Sequence, residues 1–392
     1  MNALGIVMKI VADEQIPYVQ EAFSALGQVT TLPGRLMTSA DLRNAHILLV
    51  RSITKVNAAL LQQTPIQFVG TASAGIDHID TTYLHNQQIQ FASAAGANAN
   101  SVAEYVVTAL LMVAKERTMA LRGKTIGIIG VGHIGSLVHA KADTLGMKAV
   151  LYDPPLARIK GSAYNSPLDT VFGCDMVTFH VPLILNGPLR TFHFLNEQTV
   201  ARLPTNSIVI NTSRGEVIDS QSLLNHRCMA QNGTTILDVW EHEPDINWDL
   251  VDRVFIGTPH IAGHSLDGKV GGTFTLYKAV CRFLHVKPTW NPLDILLPQD
   301  APLQTINAEG KSNQDILCEL ATTAYHLAED HARMAHVLHV PVEKRPQEFD
   351  RLRKEYPIRR EFHCLTVNLL KAGKELQRQV RDLGFRVVSS NQ

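Results

Sequence analysis

The sequence predicts an α/β protein built on parallel sheets. Three observations predict it. Short apolar runs alternate with helical stretches from the start of the chain to about residue 260. A glycine-rich turn separates one such run from the helix that follows it. At 392 residues with 45% apolar and 18% charged side chains, the chain is long enough for two or three ordinary globular domains and apolar enough to fill their cores.

The elements follow in order. Met8–Ala12 reads as a first strand and Ile16–Leu26 as helix; Ile47–Val50, Phe68–Thr71 and Ile89–Phe91 read as further strands, with connectors at Asp41–Asn44 and Thr64-Pro65. Ser101 with Glu104 three residues on is a capping-box pattern, predicting a long helix from Ser101 towards Arg122-Gly123. A second series places strands at Thr125–Ile129, Lys148–Tyr152, Met176–Phe179, Ser207–Asn211, Thr235–Val239 and Val254–Gly257. Six strands in that span is the size of a full doubly wound, Rossmann-type nucleotide-binding domain. Beyond Pro292 the texture changes. Leu293–Pro302 reads as irregular, Asn313–His336 as helix, Phe362–Val367 as strand, Leu369–Leu383 as helix and Phe385–Val388 as strand, enough for a small αβ domain.

Bulk properties exclude several functions. A formal net charge of zero argues against nucleic-acid binding as the main task, since that binding rests on many Lys and Arg contacts to phosphate. The apolar stretch Tyr105–Ala114 is too short to span a bilayer, and the N-terminal run ends at Asp13 without a basic leader, so neither a membrane anchor nor a signal peptide is expected. The five cysteines, Cys174, Cys228, Cys281, Cys318 and Cys364, are widely spaced and form no C-x-x-C. That fits reduced thiols in a cytoplasmic protein and no metal site.

Gly130-x-Gly132-x-x-Gly135 follows the strand Thr125–Ile129 and opens a helix. Gly130 allows the tight turn, Gly132 lets backbone approach a pyrophosphate, and Gly135 lets helix and strand pack closely; His133 and Ile134 begin the helix whose N–H groups face the ligand. Asp153, at the end of the next strand, is placed to accept bonds from ribose hydroxyls and to repel the extra phosphate of NADP, which favours NAD.

Three further residues lie at successive strand ends, the edge where open α/β sheets bind ligands: Arg214, Glu243 and His260. Oxidising an alcohol by hydride transfer needs a base for its proton, which a histidine supplies near neutral pH. It needs a carboxylate to orient that imidazole, and a fixed cation to hold a substrate carboxylate and polarise the reacting oxygen. His260, Glu243 and Arg214 match those roles.

In these motifs the chain resembles the D-2-hydroxyacid dehydrogenase family. The family's second signature reads here as Asp175–Pro182, with His193 further on, and its third as Ile208–Asp219. The runs Val50–Val56, Phe68–Asp77, Asp153–Pro155 and Gly257–Gly263, and the tail segment Asp350–Glu361, are similar to a branch that oxidises a phosphorylated sugar acid. The resemblance implies a flavodoxin-like substrate domain (residues 8–93 plus about 263–290), a Rossmann-type NAD-binding domain (94–262) and a C-terminal αβ dimerisation domain (291–392). It implies closure of the first on the second and a homodimer formed through the third.

The resemblance also implies roles for matched positions. Arg214 and Glu243 would be active-site residues and His260 the proton donor and acceptor. Asp153, Val181, Asp238 and Gly263 would lie on NAD, together with Thr212-Ser213-Arg214. Ser52, Ser73 and the residue at His264, where the family branch has a tyrosine, would contact substrate. A phosphate on that substrate calls for cations, and Arg51, Arg359 and Arg360 are the candidates. Two alternatives stay open: another D-2-hydroxy acid such as 3-phosphoglycerate, or a non-catalytic NAD-sensing binding protein.

Overall fold

The computed structural model describes residues 7–229, 233–296 and 302–388. Its contacts divide it into two units, Met1–Asn98 with Leu266–Pro298, and Ala99–Ser265 with Gln299–Gln392.

The first unit holds a five-stranded parallel sheet: β1 (Lys9–Asp13), β2 (Gln28–Leu32), β3 (Ile47–Val50), β4 (Phe68–Thr71) and β5 (Gln90–Ser93), in the order β2-β1-β3-β4-β5. This is the flavodoxin-like order. The central strands β3 and β4 are buried along their whole length, as parallel strands covered on both faces must be. One face packs on the helix Leu266–Phe283 through Leu276, Tyr277 and Val280. The predicted helix over Ile16–Leu26 shortens to Val19–Phe23. The edge strand β2 was not predicted, because Gln28-Val-Thr-Thr-Leu32 is largely exposed and has no apolar run to reveal it.

The second unit carries a six-stranded parallel sheet: β6 (Thr125–Ile129), β7 (Lys148–Tyr152), β8 (Met176–Phe179), β9 (Ile208–Asn211), β10 (Thr234–Leu237) and β11 (Ile256–Gly257), in the order β11-β10-β9-β8-β6-β7. All six expected strands are present, with the first three at the expected bounds. The chain reverses its direction of travel between β6 and β8, which creates a crevice at their carboxyl ends.

The helix Ala99–Glu116 is buried on nearly every face. It packs into one core with the strand residues Ile126, Ile128, Ile208 and Ile210 and the tail residues Ile316, Leu317 and Leu320. An all-round apolar helix is a core element in such a setting. It starts two residues earlier than expected, and the capping box is not made. Ser101 Oγ donates to Glu361 Oε1 at 2.6 Å, and Glu104 Oε1 accepts from Phe362 N at 3.0 Å. Both side chains serve contacts with the tail.

That tail has its own three-stranded parallel sheet, β12 (Leu303–Asn307), β13 (Thr366–Leu370) and β14 (Arg386–Val387), in the order β12-β13-β14. Three expectations are corrected there. The helix expected over Asn313–His336 is two, Asn313–Ala324 and Leu327–His336. They break at Tyr325, whose backbone is extended while its ring lies buried against Tyr105 and under Arg359. The strand expected at Phe362 begins at Thr366, since Phe362–Cys364 forms a 3-10 turn. Leu293–Leu296 is a helical turn, and the rest of the stretch read as irregular, 297–301, lies outside the described residues. Among the described residues no helix is long and apolar enough to cross a membrane.

Candidate active site

The three neighbouring strands β9, β10 and β11 end in three loops that pack on one another. Asn211 closes β9, and its Oδ1 accepts from Ser213 N (3.0 Å) and Ser213 Oγ (2.7 Å) while its Nδ2 donates to Arg214 O (2.9 Å). The Thr212-Ser213-Arg214 turn is thereby fixed from within. Gly215 follows because nothing larger fits: a Cβ there would lie 1.9 Å from the Trp240 carbonyl carbon and oxygen. The Arg214 loop and the loop after β10 touch backbone to backbone at this point.

From that second loop Glu243 Oε1 accepts from Trp240 N at 3.0 Å, and Trp240 Nε1 donates to Thr258 O at 2.9 Å, reaching the third loop. Asp238, buried at the end of β10, completes the set. Its Oδ1 accepts from Thr258 Oγ1 and from Ile261 N, both at 2.7 Å, and its Oδ2 accepts from Ala262 N at 3.0 Å. These bonds hold His260 with a left-handed backbone (φ 56°), an unfavourable conformation that persists where surrounding structure over-determines it.

His260 Nδ1 then meets Glu243 Oε2 at 2.7 Å. Burial pushes the Glu243 carboxyl up, but the charge of His260, their shared hydrogen bond, the Arg353 guanidinium and the Trp240 N–H outweigh it. The carboxyl is held below its ordinary value, so Glu243 is a carboxylate at neutral pH. With Nδ1–H donated to that carboxylate, Nε2 is the nitrogen left to exchange a proton with substrate.

The glycine loop lies at the other half of the same edge. Gly130 has φ 86°, and a Cβ on it would lie 2.5 Å from His180 O; a Cβ on Gly135 would lie 2.0 Å from Gly130 O. A Cβ at Gly132 would meet nothing within 4 Å. That open approach, at the N-terminus of the helix His133–Thr144, fits a pyrophosphate. Asp153 accepts from Val131 N (2.8 Å) and Leu156 N (2.9 Å), joining the end of β7 to the glycine loop where a ribose would lie. Below, His180 is clamped between Thr178 Oγ1 (2.9 Å) and Thr212 Oγ1 (3.2 Å), and burial pushes its pKa down to about 3, so it is a neutral strut beside Val181.

The remaining predicted positions divide. In the first unit, Arg51 and Ser52 follow β3 and Ser73 follows β4, beyond strand ends paired as Val50 with Thr71. They share one sheet edge there, and Arg51 donates to Gln15 Oε1 at 2.6 Å. In the second unit, Gly263 and His264 are partly exposed on the His260 loop, and the His264 ring stands edge-on to Tyr356 at 5.9 Å. Arg359, expected at a substrate phosphate, is instead buried. It donates to Ala262 O (2.7 Å) and Ser101 O (3.3 Å) and lies over the Tyr325 ring, holding the His260 loop from behind. Arg360 beside it is partly exposed. Sequence reasoning missed Arg353, whose Nη1 lies 4.0 Å from Glu243 Oε2. Its only signal was membership of the basic tail run Arg351–Arg360.

Fold and site together define a nucleotide-dependent dehydrogenase. Residues 98–262 match the family described as D-isomer specific 2-hydroxyacid dehydrogenase, NAD binding domain, and residues 296–384 match a domain of unknown function (DUF3410). The chain is 42% identical over 361 residues to an erythronate-4-phosphate dehydrogenase of Proteus mirabilis (strain HI4320), covering 92% of this chain and 94% of that protein. It is 43% identical over 366 residues to the same-named protein of Salmonella arizonae, with the same coverage. The chain belongs to the erythronate-4-phosphate dehydrogenases, within the NAD-dependent D-isomer specific 2-hydroxyacid dehydrogenase family. The fold is shared with the solved NAD+-bound 3-phosphoglycerate dehydrogenase of Entamoeba histolytica (TM-score 0.61, 24% identity, 73% of this chain and 99% of that one).

Proposed function

We propose that the protein oxidises 4-phospho-D-erythronate to its 2-oxo acid with NAD, a step of pyridoxal 5'-phosphate biosynthesis. The observation that carries the reading is the Glu243–His260 pair at 2.7 Å, on two loops of which the first packs directly on the Arg214 turn. The names of the relatives, at about two-fifths identity over nine-tenths of the chain, supply the substrate.

Bound NAD supplies the hydride acceptor; the chain's own residues do the rest. Gly130, Gly132, His133, Ile134 and Gly135 would hold the pyrophosphate and Asp153 the ribose, with Val181, Thr212, Ser213, Asp238 and Gly263 around the nicotinamide half. His260 Nε2 takes the C2 hydroxyl proton as hydride leaves C2. Glu243 keeps the ring oriented and balances the imidazolium that forms. Arg214 grips the substrate carboxylate and draws electron density from the carbonyl oxygen as it develops. Ser52, Ser73 and His264 would contact the sugar acid, and Arg51 and Arg360 are the proposed phosphate cations. The exposed edge strand β12 and the exposed tail side chains Leu303 and Leu370 support a homodimer through the tail, and the buried Cys174, Cys281, Cys318 and Cys364, none of them in a disulfide, support the reducing cytoplasm.

The test is NAD-linked turnover of 4-phosphoerythronate beside 3-phosphoglycerate and D-lactate, with a coupled system to reoxidise cofactor. Turnover confined to 4-phosphoerythronate is expected; turnover confined to the other two overturns the assignment. Light scattering of the eluted protein tests the dimer, and a monomer at micromolar concentration would overturn it.

A further inference from the structure

We propose that Arg353 is a positioning residue of the dehydrogenase site: delivered by the tail, its guanidinium fixes the Glu243 carboxylate and sets the charge around the Glu243–His260 pair. The proposal rests on the dehydrogenase reading above.

Arg353 sits on the tail helix Arg345–Lys354. Two other arginines of that helix show what it is not. Arg351 is exposed and pairs with Glu348 and Glu355 on its own helix. Arg345 spends its donors on the carbonyls Val340 O (3.0 Å) and Leu338 O (2.8 Å). Arg353 instead turns inward, with 23% of its side chain exposed, and brings Nη1 to 4.0 Å from Glu243 Oε2, the same oxygen that receives His260 Nδ1. Its Nε is buried, and no described group accepts a bond from it. Burying that nitrogen is costly, and the attraction between the guanidinium and the Glu243 carboxylate offsets part of the cost.

The tail is anchored tightly enough to make that placement definite. Arg359 pairs with Ser265 in a parallel bridge and donates to Ala262 O, and Glu361 Oε1 accepts from Ser265 Oγ at 3.0 Å. The tail therefore touches the His260 loop immediately after the histidine and the Glu243 loop at the glutamate itself. The charged groups around the pair are Arg353 from the tail and Asp238 from the end of β10, whose charge couples to His260; Arg214 stands on the neighbouring loop. A cation beside the Glu243 carboxylate favours its proton-free form. Removing it should move the acid limb of the pH–rate profile, to which that carboxylate contributes, to higher pH.

The experiment compares full-length wild type, Arg353→Met and Arg353→Lys in NAD-linked oxidation over about pH 5 to 9, the range in which such a pair titrates. The acid limb of kcat/KM should move up by about one pH unit in Arg353→Met, and Arg353→Lys should return it towards wild type. Substrate KM above the limb should change by less than about threefold, because the residue acts on Glu243 and not on substrate. An unmoved limb overturns the proposal. So does an unmoved limb with KM raised about tenfold at every pH, which would make Arg353 a direct substrate contact. Should Arg353→Met melt early, Arg353→Gln carries the same comparison with the shape better kept. If wild type leaves 4-phosphoerythronate unoxidised, the profile is taken on the 2-hydroxy acid it does oxidise, which separates a wrong substrate from a wrong role for Arg353.

Discussion

His260 Nδ1 lies 2.7 Å from Glu243 Oε2, although the two residues stand on separate loops after neighbouring strands. A glutamine at 243 keeps a carbonyl for that bond but removes the charge that balances an imidazolium. Glu243→Gln should lower kcat on the order of 10²–10⁴-fold at neutral pH, with the fold intact by circular dichroism. The stability linkage follows from the lowered carboxyl. Its contribution is fully present above the ordinary value of 4.5 and is lost as pH falls through the lower folded value. Melting curves of wild type and Glu243→Gln should therefore converge only in acid.

Gly215→Ala tests the contact between the Arg214 and Glu243 loops. The new methyl would lie 1.9 Å from the Trp240 carbonyl, which is rigid backbone, so the loops must separate. A loss of about 3 kcal/mol in denaturant unfolding is expected, together with a drop in kcat/KM. Wild-type stability and turnover in this variant would show that the loops yield freely.

Asp153→Asn bears on cofactor choice. Asparagine keeps an oxygen for the Leu156 N–H that starts the helix Pro154–Lys160 but gives up the bond from Val131 N, so the fold should hold with the glycine loop less tightly tied. It loses the charge that repels a 2'-phosphate. The ratio of kcat/KM for NAD over NADP should fall by about tenfold or more. An unchanged ratio would remove Asp153 from the ribose site.

Glu104→Gln addresses the junction between the tail and the long helix. Burial, then the charge of Glu361, pushes the Glu104 carboxyl up to about 8, with Lys141 partly opposing. Between the ordinary 4.5 and about 8 the folded protein holds a proton that the unfolded chain has released, so stability falls as pH rises through that window. The variant has no such proton. Its melting temperature should fall less than that of wild type between pH 5 and 8, and equal slopes would refute the assignment.

Much of the second unit was legible because its signals are local. An apolar run, three glycines and an acid at the next strand end locate β6, β7 and the cofactor loop without any tertiary information. Arg214, Glu243 and His260 were legible because strand ends face one edge of a parallel sheet. The misses are of another kind. The edge strands β2 and β12 are exposed and polar, so burial leaves no pattern in them. Ser101 and Glu104 have the right spacing for a capping box, yet bonds to Glu361 and Phe362, some 260 residues away, take both side chains. Arg359 and Arg353 sit in one basic run, and only packing decides that one braces a loop and the other faces Glu243.

The working edge of the six-stranded sheet carries two sets of candidate residues, one on each side of the β8–β9 ladder. Gly130, Asp153 and Val181 stand beyond β6, β7 and β8, the positions proposed for the dinucleotide; Arg214, Glu243 and His260 stand beyond β9, β10 and β11, the positions proposed for the chemistry, with Thr212, Ser213, Asp238 and Gly263 proposed to reach the cofactor from the same loops. Descendants of such a sheet can rewrite the loops of one half and inherit the other unchanged. On the proposed roles, coenzyme range can drift through Gly130 and Asp153 beyond β6 and β7, while the loops beyond β9, β10 and β11, shared by both ligands, are the half that must be kept.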